Sequence, residues 1–194
     1  MTRLLLIRHG ETDYNLNRRY CGYNNPPLNV AGILQAKSLV KQLKDFNIAA
    51  VYSSDLLRAV QTAAIIFPKF QIKTELDFRE FNFGIFEGLN YDELMEKHRG
   101  LYIDWIRDPS NVLIPNGEEF RDFRKRVSNT LFSIVSLHRG KTIALVSHSG
   151  PIRLILCEAF GYGLEKFWEL GPDNATFSIV DYPQDLSSPV ISLI

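Results

Sequence analysis

Short unbroken apolar runs alternate along this chain with longer stretches in which apolar residues return every three or four positions. Residues 4–7, LLLI, form the first run, the pattern of a strand buried on both faces. A polar, aromatic loop fills 10–28, and over 29–46 the residues Ile33, Ala36, Leu39, Val40, Leu43 and Phe46 recur at helical spacing. Residues 49–53 read as a second strand, and Asp55 opens an amphipathic helix that runs to Phe67 and ends at Pro68. A short strand fits 71–74. The stretch 75–116 is the least regular, with helices predicted at 91–98 and 102–107. Gly117 leads into a long helix with Phe120, Phe123, Val127, Leu131, Ile134 and Leu137 on one stripe. Residues 142–147 are a third buried strand, and Ser149-Gly150-Pro151 turns into a helix ending near Phe160-Gly161. Residues 177–182 and 189–194 close the chain as strands at or near a sheet edge. Strands alternating with helices predict the α/β class, a sandwich with a largely parallel sheet. No repeat, low-complexity tract or linker interrupts the pattern, so residues 1–194 are expected to form one domain.

Composition narrows the functional classes. Twenty-two basic residues balance twenty-two acidic ones, so there is no bulk electrostatic case for nucleic acid or an anionic membrane, and any anion site must be local. The apolar run before Arg8 is too short for a signal segment or a membrane span, which leads us to expect a soluble cytoplasmic protein. Cys21 and Cys157 are too few for a disulfide framework and lack metal-ligand spacing; ordinary reduced thiols, with Cys157 in a helix core, are expected.

Chemistry converges at three strand ends. The first strand ends at Arg8-His9-Gly10, the 142–147 strand at His148-Ser149-Gly150, and the 49–53 strand at Ser54-Asp55, with Arg58 one turn into its helix. Ligands of open α/β sheets bind beyond the carboxyl ends of the strands. Parallel neighbours would therefore gather His9, His148, Arg8 and Arg58 in one crevice. Singly, each has an ordinary structural reading; together they suit a phosphate. Two guanidiniums offer forked donors, and the helix N-termini after Asp55 and Gly150 add N–H groups. A neutral imidazole can attack phosphorus, and a second, protonated imidazole would steady the transferring group. The departing oxygen needs a proton. Glu80, among aromatics in Arg79-Glu80-Phe81, is placed to give it.

The motif LLLIRHGETDYN, with Arg8, His9, Gly10, Glu11, Thr12 and Asn15, resembles the signature of the histidine phosphatase superfamily, which includes the cofactor-dependent phosphoglycerate mutases. The likeness continues in order through PLNVAGILQA, VYSSDLLRAVQTA, REFNFGIFEG, PNGEEF and LVSHSGPIRLIL. It implies a three-layer α/β/α sandwich with a mainly parallel central sheet. It also implies His9 as the phosphorylated nucleophile, Arg8, Arg58 and His148 as the phosphate pocket, and Glu80 as the proton donor. Asn15, Ser149 and Gly22 are carried over as further phosphate contacts, and no metal or organic cofactor is implied. The partner implied is a small phosphorylated substrate; a homodimer is open to such a chain.

The same resemblance bears on substrate. Mutases carry a longer insertion before the PNGE-like block, whereas the stretch 89–115 here is short, with Lys97, Arg99 and Arg107 its basic residues. Phosphatase is favoured over mutase. Among phosphatases, DWIRDPSNVLIPNGEEFRDFRKRV is most similar to α-ribazole 5′-phosphate phosphatases of cobalamin nucleotide-loop assembly, with broad-specificity phosphatases as the alternative. A binding module without chemistry is disfavoured because both His9 and Glu80 are present. The loop after Gly22, YNNPPL, departs from the family's usual acidic or small residue before Pro-Leu.

The aromatics Tyr14, Tyr20, Tyr23, Phe81, Phe83, Phe86, Tyr102 and Trp105 crowd the expected entrance. Most suit packing beneath a lid, and some are expected to stack on a flat heterocycle. Glu118 and Glu119 read as helix-dipole partners, His98 and His138 as solvated charges at helix ends, and Arg121, Arg124, Lys125 and Arg126 as a solvated face. Thr176 is expected to approach the pocket on the strength of the resemblance.

Overall fold

The structure, a computed structural model, describes residues 1–183 and 189–193. Six strands form one sheet in the order β3-β2-β4-β1-β5-β6. They are β1 (Thr2–Arg8), β2 (Ile48–Ser54), β3 (Ile72–Glu75), β4 (Thr142–Ser147), β5 (Phe177–Tyr182) and β6 (Val190–Leu193). β3, β2, β4 and β1 pair in parallel, while β5 runs antiparallel to β1 and β6 antiparallel to β5. The sheet is thus mixed but mainly parallel, with β6 on the edge. Ile194, the end of the predicted last strand, lies outside the described residues.

Period-two alternation in β1 divides the core. Leu4 and Leu6 face one layer with Tyr52, Ile143 and Leu145. There they meet α6 (Phe120–Leu137) and α7 (Ser149–Phe160) through Phe123, Val127, Leu131, Ile152 and Ile155. Leu5 and Ile7 face the opposite layer with Val51, Ala144 and Val146. That layer contains α2 (Val30–Leu43) and α3 (Leu57–Ile66), whose Ala36, Leu39, Ala59 and Ala63 complete it. Leu4, Leu5 and Ile7 have no exposed surface, as a strand covered on both faces requires. The result is the three-layer sandwich expected.

Element boundaries moved where local hydrogen bonding decided them. A one-turn helix, α1 (Asp13–Leu16), sits in the predicted 10–28 loop because Thr12 and Asn15 form a reciprocal capping box. Asp55 does not open α3; it is drawn off into a two-pronged ion pair with Arg79, at 2.7 and 2.5 Å, and Leu56 takes the cap position. In the irregular region lie α4 (Tyr91–Lys97) and α5 (Arg99–Arg107), the latter starting three residues early. Leu137, assigned to the α6 stripe, is 71% exposed. The next inward position after Ile134 and Val135 falls at 138, so His138 turns in and its Nε2 meets the Tyr52 hydroxyl at 2.9 Å. His138 is therefore no solvated charge, and burial holds its proton affinity below that of an ordinary histidine. His98 likewise tilts against the Phe86 ring. Among the described residues no helix is long and apolar enough to cross a membrane.

Candidate active site

β1 and β4 are parallel neighbours, and β4's other neighbour is β2. Their carboxyl ends bring His9, His148 and the first turn of α3 together. The His9 and His148 ring centroids lie 5.0 Å apart. Arg58, on that first turn, donates from Nε to His9 Nε2 at 3.3 Å and is only 1% exposed. Arg8, His9 and Arg58 line a cavity of about 380 Å³ together with Asn15, Glu80 and Ser149.

His9 is held in one protonation form. Its Nδ1 lies 2.7 Å from the Gly10 carbonyl, which can only accept, so the proton sits on Nδ1 and Nε2 keeps its lone pair. Burial first, then the Arg58 and Arg8 charges, hold the ring's proton affinity well below the ordinary histidine value. The backbone is fixed as well. The His9 carbonyl accepts from Ala175 N–H at 3.1 Å and from Asn174 Nδ2 at 3.1 Å. Ala175 achieves this in a left-handed conformation, φ 50°, uncommon for a residue with a side chain. Thr176 contributes only its carbonyl, which accepts from Arg8 N–H; its side chain turns to Asp173.

His148 differs from its expected charged form. Burial, then Arg58, His9 and Arg8, hold its proton affinity well below the ordinary value, so the ring is neutral near pH 7. Its Nε2 meets Ser54 Oγ at 2.8 Å, and Ser54 Oγ also accepts from Leu56 N–H at 3.3 Å. A hydroxyl that already accepts from Leu56 has its own proton to give, which directs the imidazole proton to Nδ1. Among the described residues that Nδ1 is buried with no hydrogen-bond partner, as is Arg8 Nε; Arg8 lines the cavity, whereas His148 is absent from its lining. Both orphaned nitrogens suit an oxyanion.

Glu80 lines the cavity, with Gly150 N–H at 3.0 Å from each carboxylate oxygen and Phe81 N–H at 2.9 Å from Oε1. The α7 N-terminal amide expected to bind the anion is thus directed to Glu80 instead. A side chain at Gly150 would collide with Oε1, so only glycine allows this approach. The loop carrying Glu80 is held from behind. Arg126 donates to the Asp77, Arg79 and Glu80 carbonyls at 2.5, 2.9 and 3.0 Å and forks onto Glu118. Ser147 Oγ donates to the Phe78 carbonyl at 2.8 Å. Arg126 and Glu118 therefore leave the solvated-face and dipole readings. Residue spacing does not signal the pair, because Glu118 lies before the first residue of α6 and helical periodicity does not link it to Arg126.

The remaining phosphate candidates separate. Asn15 Oδ1 is taken by the Thr12 amide and hydroxyl, which leaves its Nδ2 for the cavity it lines. Ser149 Oγ accepts from Arg153 Nε at 3.0 Å and keeps its own proton. Gly22 does not line the cavity: its N–H goes to Glu87 and its carbonyl to Arg58. Its place is behind Arg58, not against a phosphate. Asn25, in the departing loop, accepts from Leu57 N–H and so anchors α3.

The other side of the cavity is aromatic. Tyr20, Phe81, Phe83 and Trp105 line it as expected, whereas Tyr14, Tyr23, Phe86 and Tyr102 do not. Phe120, Phe123, Phe167, Trp168 and Arg153 line it too, as do Arg18, Arg19, Ile106 and Pro109. Phe120 and Phe123 had been assigned to a helix stripe, and Arg18, Arg19, Arg153, Phe167 and Trp168 went unremarked. Arg153 Nη1 donates to the Phe167 and Trp168 carbonyls at 2.9 and 2.7 Å, and its guanidinium lies 5.5 Å from the Trp168 ring centre. Burial pushes the Cys21 thiol, also in the lining, up to about 11, which keeps it protonated and inert. Lys97, Arg99 and Arg107 are absent from the lining. Among the described residues no cluster of three His, Cys, Asp or Glu could hold a metal ion.

Comparison with known proteins agrees with this geometry. The chain is 33% identical over 182 residues to phosphoserine phosphatase 1 of Hydrogenobacter thermophilus, covering 93% of this chain and 86% of that one. It is 30% identical over 188 residues to the adenosylcobalamin/alpha-ribazole phosphatase of Escherichia coli, covering 96% and 93%. The crystal structure of the alpha-ribazole phosphatase from Shigella flexneri superposes with a TM-score of 0.88 at 30% identity, over 99% of this chain and 95% of that one. Residues 4–190 match the model of the histidine phosphatase superfamily, branch 1. The chain belongs to that superfamily and is a phosphatase.

Proposed function

We propose that the chain hydrolyses a small phosphate monoester through a phosphohistidine at His9, and that its substrate is α-ribazole 5′-phosphate or a close relative. One observation carries the mechanism. A buried imidazole with its proton locked on Nδ1 keeps an Nε2 lone pair at a cavity where the Arg8 and Arg58 guanidiniums and the Glu80 carboxyl group also stand. In the first step Nε2 attacks phosphorus in line. The ester P–O bond breaks, and protonated Glu80 gives its proton to the departing oxygen. Arg8, Arg58 and His148 Nδ1–H meet the charge spread over the equatorial oxygens. In the second step Glu80, now a carboxylate, takes a proton from water as that water attacks phosphorus, which frees His9 and yields inorganic phosphate. Asn15 Nδ2 and the Ser149 hydroxyl are further donors for the phosphoryl oxygens.

The aromatic side supports the leaving-group assignment. Phe83, Trp105, Phe120 and Trp168 offer flat apolar surface of the kind that packs a heterocycle. Phosphoserine, the substrate named for one relative, would also need a partner for its ammonium group. Among the described residues lining the cavity, Glu80 is the sole carboxylate, and the chemistry occupies it. A mutase reading is disfavoured by the short 89–115 stretch, whose Lys97, Arg99 and Arg107 stay out of the cavity lining. The proposal places the enzyme in the cytoplasm, acting on a free small molecule and not on nucleic acid.

The test is phosphate release, with EDTA present, from α-ribazole 5′-phosphate, phosphoserine, 3-phosphoglycerate, sugar phosphates and nucleoside monophosphates. The expected result is the highest kcat/KM on α-ribazole 5′-phosphate, with an acid-labile phosphoenzyme trapped on rapid quenching. His9→Ala should abolish both signals, a loss of at least about 10⁴-fold in turnover. A preference for phosphoserine would overturn the substrate, and interconversion of phosphoglycerates would overturn water as the acceptor.

A further inference from the structure

Glu87 lies outside the catalytic cavity, yet its carboxylate accepts from four backbone N–H groups. Gly22 N–H lies 2.9 Å from Oε1 and 3.1 Å from Oε2, Tyr23 and Phe83 N–H lie 2.9 and 3.2 Å from Oε1, and Asn24 N–H lies 3.4 Å from Oε2. The carbonyls of the same loop point the other way, to Arg58. Nη2 donates to the Cys21 and Gly22 carbonyls at 3.2 and 2.9 Å, and Nη1 donates to the Asn24 carbonyl at 2.8 Å. Two peptide groups, Cys21–Gly22 and Gly22–Tyr23, are therefore bound at both ends, with the guanidinium on the oxygen and the carboxylate on the N–H. A side chain at Gly22 would collide with Glu87 Oε1 and the Phe81 carbonyl, so the close approach depends on glycine there.

A peptide whose N–H is held by an anion presents a more negative carbonyl to a cation, and hydrogen bonds in such a chain polarise one another. Arg58 is almost wholly buried and has no direct carboxylate partner among the described residues. The loop engages both protons of Nη2 and one of Nη1, which fixes Nε against His9 and leaves one Nη1 N–H uncommitted.

We propose that Glu87 is a positioning residue for the phosphate pocket: through the two peptide groups at Gly22 it supplies Arg58 with a relayed counter-charge and sets the angle at which Arg58 meets His9 and the phosphoryl group. The inference rests on the reading of Arg58 as a phosphate ligand. Glu87→Gln keeps the shape but turns an amide NH₂ towards N–H donors, which should release the loop and loosen Arg58.

The experiment is a double-mutant cycle of wild type, E87Q, R58K and E87Q/R58K. It measures kcat/KM and the inhibition constant for inorganic phosphate, with a thermal unfolding midpoint for each protein. In the wild-type background E87Q should lower kcat/KM and weaken phosphate inhibition, each by about tenfold. In the R58K background it should change both by less than about twofold, because the group it positions is already altered. Equal loss in both backgrounds means that Glu87 serves only the fold and overturns the proposal. Should R58K keep wild-type turnover and phosphate inhibition, the reading of Arg58 fails and takes this inference with it. If E87Q does not yield folded protein, E87D, which keeps the charge but draws it back by one methylene, runs the same cycle to the same two outcomes.

Discussion

The two sides of the catalytic cavity are built by different rules. On the phosphate side His9, His148 and Arg58 stand at or just past a strand end, are buried, and are held by backbone groups or, for His148, by a serine hydroxyl. His9 is held by Gly10, Asn174 and Ala175, His148 by Ser54, and Arg58 by three carbonyls. On the leaving-group side the groups come from α5, α6 and the 167–168 segment, and Trp168 is 36% exposed at the mouth. The first side depends on sheet register, which a one-residue slip would destroy. The second depends on side chains carried by helices and loops, where exchange of one ring for another leaves the sheet untouched. On the proposed function, chemistry is placed where the fold tolerates least change, and substrate preference where it tolerates more.

On that division the largest effects belong to the phosphate side. Glu80→Gln should slow phosphoenzyme formation from alkyl esters by about 10²–10⁴-fold while sparing that step for esters with good leaving groups such as p-nitrophenol. Equal losses for both, read in single-turnover phosphoenzyme formation, would remove Glu80 as the proton donor and weaken the comparison at its centre. A smaller effect is expected across the cavity. Arg153→Met releases the Phe167 and Trp168 carbonyls and should cut the selectivity for α-ribazole 5′-phosphate over glycerol phosphate by about tenfold, chiefly through KM. Unaltered selectivity with a falling kcat on both substrates would place Arg153 on the phosphate side instead.

The smallest effect is on stability. His9 and His148 are held neutral in the folded protein, whereas the unfolded chain protonates both near pH 6.5. The unfolded state then binds more protons between the lowered folded values and about 6.5, so stability falls as pH drops through that window. The loss is up to about 1.4 kcal/mol per pH unit for each histidine, and above the window it vanishes. Urea midpoints at pH 7.5, 6.5 and 5.5 should show a shallower acid slope for His148→Gln than for wild type. Matching slopes would mean that His148 carries its proton in the folded state.

The same division explains what could be read in the sequence. β1, β4, β2 and their terminal His9, His148 and Arg58 were legible because a buried parallel strand is a local apolar run and its last residue marks the ligand end. α6 was legible from its stripe up to Ile134, but not at Leu137, where one residue of phase decides between solvent and core. The supports were not legible. Arg126, Arg153 and Glu87 act on backbone carbonyls or amides of distant segments, and a carbonyl carries no signature in residue type. Arg126 looked like one charge among several on a wet helix face. Phe167 and Trp168 lie in a stretch without periodicity. The neutral state of His148 followed from burial beside two guanidiniums, which depends on the assembled site.

The carbonyl of His9, tied to Asn174 and Ala175, has a consequence for the order in which the enzyme comes into being. His9 precedes Asn174 by 165 residues, so its backbone is not secured until that later segment has been made. A nascent chain that stopped short of residue 174 could pair β1 with β4 and bury both histidines while lacking the clasp across the strand end. Competence thus waits on residues 174 and 175, and fragments without them would present the pocket with the proposed nucleophile unfixed.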